Sequence, residues 1–458
     1  MTSAVPASAP RSALGRAYLD HLRGRPAADP AGLPAAAALN GAYSNHVLPG
    51  PLFLSAAERR EVMRDVYQLY DLLRSVPERI FGGDLAAFAR AVGMTGPQVD
   101  VVTRSATAGP LLPLGRADLY HDGDRFALLE LNVSSALGGL YTGDINRALL
   151  SRAALRDFAE RHNLHYRDTV ACLVETILAE CGPTLPGGRP PTIAVVDTAE
   201  NFRLAGDRLR LVATKLRDHG VDSVACELEQ LSYPRGRPAY DGRTIDVVLR
   251  YFLIEDLADP ATAALLEPLL TAVERGTVAM VSRIDAELYG NKGTLALLSD
   301  DRHRSAFTAG ERGCADRLLP WTRQFRSRVT DPAGTQVDAL AYAEAHRREL
   351  VLKPALLHGG AGVVAGWRTA AEQWRAELKN AVDGPFVLQR RVRPAAETIA
   401  GGSGTQVIHP NWGIYFAGVH AAPEDGYAGC MVRASTDPDV GVVSLADGAL
   451  LGCAFHAE

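Results

Sequence analysis

Apolar residues recur at helical spacing in Val62, Val66, Leu69 and Leu73, after Ser55 and Glu58 placed as a capping box. This predicts a helix that opens at Ser55 and ends at Pro77, where the ring removes a backbone donor. Asp84 caps a second expected helix that runs through Val92. From Leu114 to Asn132 the period shortens to two around Asp122-Gly123, which reads as a hairpin. Ile145 to Glu180 returns to helix, with Val170, Val174, Ile177 and Leu178 as its buried stripe and Gly182 just past its end.

Strand and helix patterns then alternate. Thr192–Val196 reads as a strand, and Leu209, Val212, Ala213 and Leu216 as a helix face stopped by Gly220. Val221–Cys226 and Ile245–Phe252 read as strands, Ala261–Val273 as a helix and Thr277–Val281 as a fourth strand. Alternation of this kind implies a mainly parallel sheet. Asp197-Thr198-Ala199-Glu200 follows the first strand without G-x-G-x-x-G, so no dinucleotide site is expected there. Later come a helix at Leu295–Leu298, a strand at Leu350–Lys353, a helix at Trp367–Leu378, and strands at Phe386–Gln389 and Trp412–Val419. The first ten residues are expected to be disordered, Arg25 to Ala38 to form a loop or short helix, and Gly401-Gly402-Ser403-Gly404 a flexible loop.

A chain of 458 residues exceeds one small core, which suggests several subdomains. The boundaries read as 1–112 for a helical N-terminal region and 113–187 for the hairpin with its helices. An α/β unit follows at 188–285, and a last pair of lobes at 286–458. A net charge of −5 without a basic stripe argues against nucleic acid as a partner. No apolar run is long enough to span a membrane, and the N-terminus lacks the apolar core of a secretory leader. The six cysteines form no C-x-x-C pair, so they read as buried thiols of a cytoplasmic protein.

Of 48 basic residues only four are lysine: Lys215, Lys292, Lys353 and Lys379. Two of them sit in short glycine-containing segments, Gly290-Asn291-Lys292-Gly293-Thr294 and Lys353-Pro354 followed by His358-Gly359-Gly360-Ala361-Gly362. An ammonium on a flexible stem follows phosphate oxygens as a point charge, which a planar guanidinium cannot do. Lys292 and Lys353 are therefore candidate phosphate ligands, whereas Lys215 and Lys379 read as solvated helix residues. The histidines read as structural, His358 before the glycine loop standing out from the rest.

The sharpest motif is Arg116-x-Asp118 followed by Glu130-x-Asn132. Residues two apart on a strand share a face. A two-residue Asp-Gly turn would put Asp118 opposite Ala127 and send the two pairs to opposite faces. A three-residue loop, Asp122 to Asp124, would set Asp118 opposite Leu128 and Arg116 opposite Glu130, with all four on one face; that register is predicted. Asp, Glu and Asn supply hard oxygens suited to magnesium on nucleotide phosphates, and an arginine beside them can hold a terminal phosphoryl group. A solvated hairpin of ion pairs is the ordinary alternative. Glu130, however, lies in the apolar run Ala127-Leu128-Leu129-Glu130-Leu131-Asn132, where an unpaired carboxylate is costly.

Taken together, these motifs resemble those of the ATP-grasp ligases, and more narrowly the circularly permuted branch that includes glutathionylspermidine synthase. In the ordinary order the lysines precede the metal-binding Glu-x-Asn; here Glu130-Leu131-Asn132 comes first. The resemblance spans roughly Gly115 to Ser435 as scattered motifs. It implies an α/β (α+β) fold, a permuted ATP-grasp core with a Rossmann-like subdomain and a helical N-terminal region. It further implies that Asp118, Glu130 and Asn132 hold Mg2+ and that Arg116 contacts the terminal phosphate of ATP. Lys292 and Lys353 would contact phosphates and adenine, with Gly359, Gly360 and Gly362 closing over them. Gln389 would line the adenine pocket and Arg433 lie near the transferred phosphate. Val133-Ser134-Ser135 departs from the synthase's Asp-Thr-Pro, so the acceptor is open.

The implied activity is an ATP-dependent carboxylate–amine ligation through an acylphosphate, with small-molecule acid and amine substrates. Loading of an amino acid onto a carrier protein is one alternative, and a catalytically inactive nucleotide-binding protein another. The oligomeric state is left open.

Overall fold

The computed structural model describes residues 11–23, 47–106, 114–133, 137–182, 185, 189–401, 404–418, 426–445 and 448–458. The expectations for the first ten residues, for Arg25 to Ala38, for Gly402-Ser403 and for Ser134-Ser135 therefore lie outside the described residues.

The largest sheet places its strands in the order Leu52–Leu54, Leu450–Ala457, Tyr427–Ser435, Gly404–Phe416, Gly115–His121 and Phe126–Asn132. Only the first of these pairings is parallel. Glu397–Gly401 and Leu164–His165 pair at its margins. A four-stranded parallel sheet runs Ala279–Val281, Val247–Arg250, Thr192–Asp197, Asp222–Glu227. A third, antiparallel sheet joins Thr322–Gln324, Phe386–Arg390, Leu350–Pro354 and Val364–Ala365. The chain is thus of mixed α/β class. Two large apolar clusters lie on the helix-covered faces of the first two sheets, and a smaller one around Trp374 and Phe325 fills the third lobe.

The first long helix runs Ala56–Phe81 and does not stop at Pro77. The ring forfeits one hydrogen bond, but the last turn is closed beyond it. Gly82, at φ 59°, ends the helix, and the amides of Gly82 and Gly83 donate to Glu78 and Pro77 carbonyls. Ile145 to Glu180 is three helices, Gly143–Leu150, Ala153–Arg161 and Thr169–Cys181. The last break falls at Asn163, at φ 49°, and at Asp168, whose side chain caps the third helix. On that helix Leu173 is buried and Leu178 is 40% exposed, so the buried face is rotated from the expected stripe toward Leu173 and Cys181. The Trp367 helix begins only at Ala371, and Lys292 is the first residue of its own helix, capped by Asn291. The strand expected at Trp412 starts earlier, at Gly404, and ends at Phe416. A helix at Ala309–Leu318, with a Thr308/Glu311 capping box, went unread between the Leu295 helix and the Leu350 strand. All six cysteines are free and buried. Among the described residues no helix is long and apolar enough to cross a membrane.

Candidate functional site

The hairpin that carries the acidic motif pairs Arg116 with Asn132 and Asp118 with Glu130. The four side chains share one face, though the register differs from the one expected. The turn has four residues, since His121 pairs with Phe126. Continued regularly, that register would set Asp118 opposite Leu129 and turn the Glu130 pair away. A bulge between Asp118 and Leu119 takes up Leu129 as an extra residue and brings the pair back. The extra residue also frees a carbonyl: Leu129 O accepts from Lys353 Nζ at 3.1 Å.

Asp118 is 1% exposed and lies at the centre of the arrangement. Arg116 Nε and Nη2 donate to its two oxygens at 2.7 and 3.0 Å, and Arg433 Nη2 and Asn132 Nδ2 donate to Oδ2 at 2.7 and 3.0 Å. Gly413 faces Asp118 across the next strand. A Cβ there would meet Arg116 Cδ at 2.9 Å and Asp118 Oδ1 at 3.2 Å, so only glycine leaves room for this pair. Arg116 spends its remaining Nη1 on the Gly138 carbonyl and sits behind Asp118, away from the cleft. Arg433, in contrast, lines the cleft and also binds Asn411 Oδ1 at 2.9 Å.

The third sheet and the Lys292 helix form the opposite wall. Lys292 Nζ lies 3.6 Å from Glu130 Oε2 and donates to the carbonyls of Leu356 and Leu357 at 3.2 and 2.8 Å. The two cationic segments thus converge on the hairpin's carboxylates, although more than 150 residues separate Glu130 from Lys292 in the chain. Burial alone would raise the Glu130 carboxyl. The charges of Lys292, Lys353 and Arg433 outweigh it and hold the group well below the usual carboxylate range. Burial brings the Lys353 ammonium down to about 8, against the pull of Glu130. Among the described residues no three His, Cys, Asp or Glu side chains converge as metal ligands. Capacity for a divalent cation therefore rests on Glu130, Asp118 and the amide of Asn132. Their hard oxygens and the ionised state of Glu130 fit Mg2+, with Arg433 having to release Asp118 Oδ2.

Gly359, Gly360 and Gly362 have φ of 65°, 86° and 67°, a run of left-handed backbone that only glycine adopts cheaply. Over this loop lies the Asp437–Val443 segment, which follows the strand bearing Arg433. Trp367 Nε1 donates to Asp439 O at 2.9 Å, Arg368 pairs with Asp437 at 3.1 Å and Arg391 with Asp439 at 2.5 Å. A Cβ on Gly360 would touch Val442 at 2.8 Å. The cleft so covered holds about 80 Å³ of free space, whereas small-molecule sites run to roughly 300–1,000 Å³. A ligand of nucleotide size requires loop and segment to part. Asn411, Trp367, Tyr120 and the Asp437–Val443 segment went unread in the sequence. The buried amide of Asn411, just before the apolar run Trp412–Phe416, is a signal of the kind that exposed Glu130.

His358 anchors the base of the glycine loop. Its Nε2 is 3.5 Å from Glu287 Oε2 and 3.9 Å from Glu255 Oε1. Burial lowers its proton affinity, but the two carboxylates prevail and raise it, against a smaller opposing push from Lys292. A histidine raised on folding stabilises fully below its unfolded value of about 6.5, and the contribution fades as pH climbs through the folded value. Limited proteolysis within residues 356–362 is expected to quicken from about pH 6 to pH 8.5. His358→Gln should flatten that dependence; an unchanged slope in the variant would refute the anchor.

No family model matches the chain, and no curated protein does. Among solved structures, a glutathione-synthetase-like effector from Globodera pallida superposes with a TM-score of 0.53 at 13% identity, covering 90% of each chain. A protein assigned as a γ-glutamylcysteine synthetase from Methylobacillus flagellatus KT gives 0.41 at 10% identity, over 85% of this chain and 87% of that one. The first of these likenesses establishes a shared fold.

Proposed function

We propose that the chain is an ATP-dependent carboxylate–amine ligase of the ATP-grasp kind, in the permuted order, with the Thr192–Val281 sheet as its Rossmann-like subdomain. One observation carries the reading: two carboxylates on the hairpin meet the ammonium groups of Lys292 and Lys353 across a covered cleft. The glutathione-synthetase-like designation of the Globodera neighbour supports it.

In this reading Glu130, Asp118 and Asn132 would hold Mg2+, which supplies charge neutralisation of the triphosphate when bound. Lys292, Lys353 and Arg433 face the phosphates. Arg116 orients Asp118 from behind through both of its oxygens, a positioning role and not a phosphate contact. The acid's carboxylate oxygen attacks the γ-phosphorus, and the bond to the β-bridging oxygen breaks to release ADP. The amine nitrogen then attacks the acyl carbon, expels phosphate and loses a proton to form the amide. The loop and the Asp437–Val443 segment exclude water from the acylphosphate. The acceptor is a free amine or a carrier-bound one.

The test is a mass-spectrometric screen of acid and amine pairs with ATP and magnesium. A mass gain equal to acid plus amine minus water, with equimolar ADP, is the expected result. Nucleotide binding without ADP under any pair would favour the inactive binding protein instead.

A further inference from the structure

Gln389 does not face the cleft with a free amide. The register of the third sheet sets it opposite Thr322 on one side and opposite Val351 on the other, two residues from Lys353. The three polar side chains therefore share one face, and all are buried: Thr322 is 0%, Gln389 2% and Lys353 8% exposed. Lys353 Nζ donates to Gln389 Oε1 at 2.6 Å, Gln389 Nε2 donates to Thr322 Oγ1 at 3.1 Å, and Thr322 Oγ1 donates to Pro320 O at 2.8 Å.

Chemistry leaves this chain a single direction. An ammonium has only donors, so it must meet the amide oxygen. The amide nitrogen then needs an acceptor, and the threonine oxygen is free to accept because its hydrogen goes to a carbonyl, which can only accept. Reversing Gln389 would point an N–H at the ammonium and make the amide oxygen compete with the Pro320 carbonyl for the single hydroxyl hydrogen of Thr322. Lys353 thus decides which end of Gln389 it meets, and Thr322 holds that orientation by accepting from the far N–H.

We propose that Thr322 and Gln389 are positioning residues for the Lys353 ammonium, forming a polarised relay from Pro320 that fixes where the cation stands before nucleotide arrives. Gln389 in this assignment does not read the base. The inference rests on the reading of Lys353 as a nucleotide ligand. It deepens that reading by naming a residue, Thr322, some thirty positions from either motif, on a strand with no catalytic signature.

The scarcity of lysine makes the test direct. Protein labelled with 13Cε/15Nζ lysine should show one resonance for each of the four lysines, Lys215, Lys292, Lys353 and Lys379. Lys353 is expected to titrate near 8, well below Lys215, whose burial is outweighed by carboxylate partners that raise it. Thr322→Val keeps the shape of the side chain and removes the acceptor. It should shift the Lys353 resonance and lower its titration by roughly one unit, as the Gln389 oxygen that accepts from the charged form is no longer held in place. The signals of Lys215 and Lys379 should stay in place as evidence of an intact fold. Thr322→Ser should restore the parent behaviour, and Gln389→Glu should move the titration upward. The KM for ATP should rise about tenfold in Thr322→Val with kcat changed less than about threefold, a loss of preorganised binding. A Lys353 titration identical in parent, Thr322→Val and Gln389→Glu would overturn the relay. ATP that perturbs neither the Lys292 nor the Lys353 resonance in the parent would instead overturn the nucleotide reading, so the two failures are told apart.

Discussion

Glu130→Gln is expected to cut ADP formation by at least about 10³-fold, the scale on which a positioned charge acts on a transferring phosphoryl group. Glu130 is the carboxylate that Lys292, Lys353 and Arg433 all face, and its side chain keeps 22% exposure toward the cleft. Glutamine keeps the volume and removes the charge, so three cations would be left to share Asp118, which Arg116 already holds through both oxygens. Two losses would combine: the proposed magnesium ligand, and the counter-charge that offsets burial of the Lys353 ammonium. Because the strand lies at the sheet edge and the residue is partly solvated, circular dichroism should remain that of the parent. The measurement is coupled ADP release on the acid–amine pair found by the screen; turnover at the parent rate would end the metal assignment.

The second large effect is on stability. Arg250→Met is expected to cost about 3–5 kcal/mol, the usual price of orphaning one partner of a buried ion pair. Arg250 is 0% exposed at the end of a parallel strand and binds Glu287 Oε1 at 2.9 Å. It also donates to the carbonyls of Ser282, Phe252 and Arg283 at 2.5, 2.6 and 3.2 Å. One side chain thus ties the parallel sheet to the segment that leads into Lys292. Methionine fills the space and satisfies none of the four acceptors. The pH dependence identifies the cause. Burial would raise Glu287, but Arg250 and His358 depress it to about 2. A depressed carboxyl contributes stability above its unfolded value of about 4.3 and loses it as pH falls toward the folded value. The parent should therefore weaken between about pH 4.5 and 2 more than the variant does, and the gap between their urea midpoints should narrow. A gap that stays constant across that range would locate the loss in packing.

What could be read from the chain follows from physical range. Glu130 and Asn132 declared themselves because polar groups in an apolar strand need partners, and the parallel sheet declared itself through local alternation. The exact pairing of the hairpin did not, since a four-residue turn and a bulge at Leu129 are two irregularities that offset each other on the facing of side chains. Pro77 misled because the rule concerns one hydrogen bond, while the cap at Gly82 and Gly83 lies beyond it. Arg116 and Gln389 carried the right chemistry for a phosphate and a base. Yet each is saturated by neighbours, Asp118 and Gly138 for one, Lys353 and Thr322 for the other, and saturation is a property of three-dimensional contacts. Asn411 and the Asp437–Val443 segment reach the cleft from strands nearly three hundred residues from the hairpin, beyond what spacing can express.

The bulged hairpin has an evolutionary corollary. Codons gained or lost in the exposed turn at 122–125 would be absorbed there, because strand pairing restarts at His121 and Phe126 whatever the tip contains. Loss of the Leu129 codon would leave a regular ladder with the acids still facing inward, but would withdraw the carbonyl on which Lys353 leans. Lineages descended from such a sequence would be free to vary the tip in length, while the seemingly dispensable extra leucine stayed fixed.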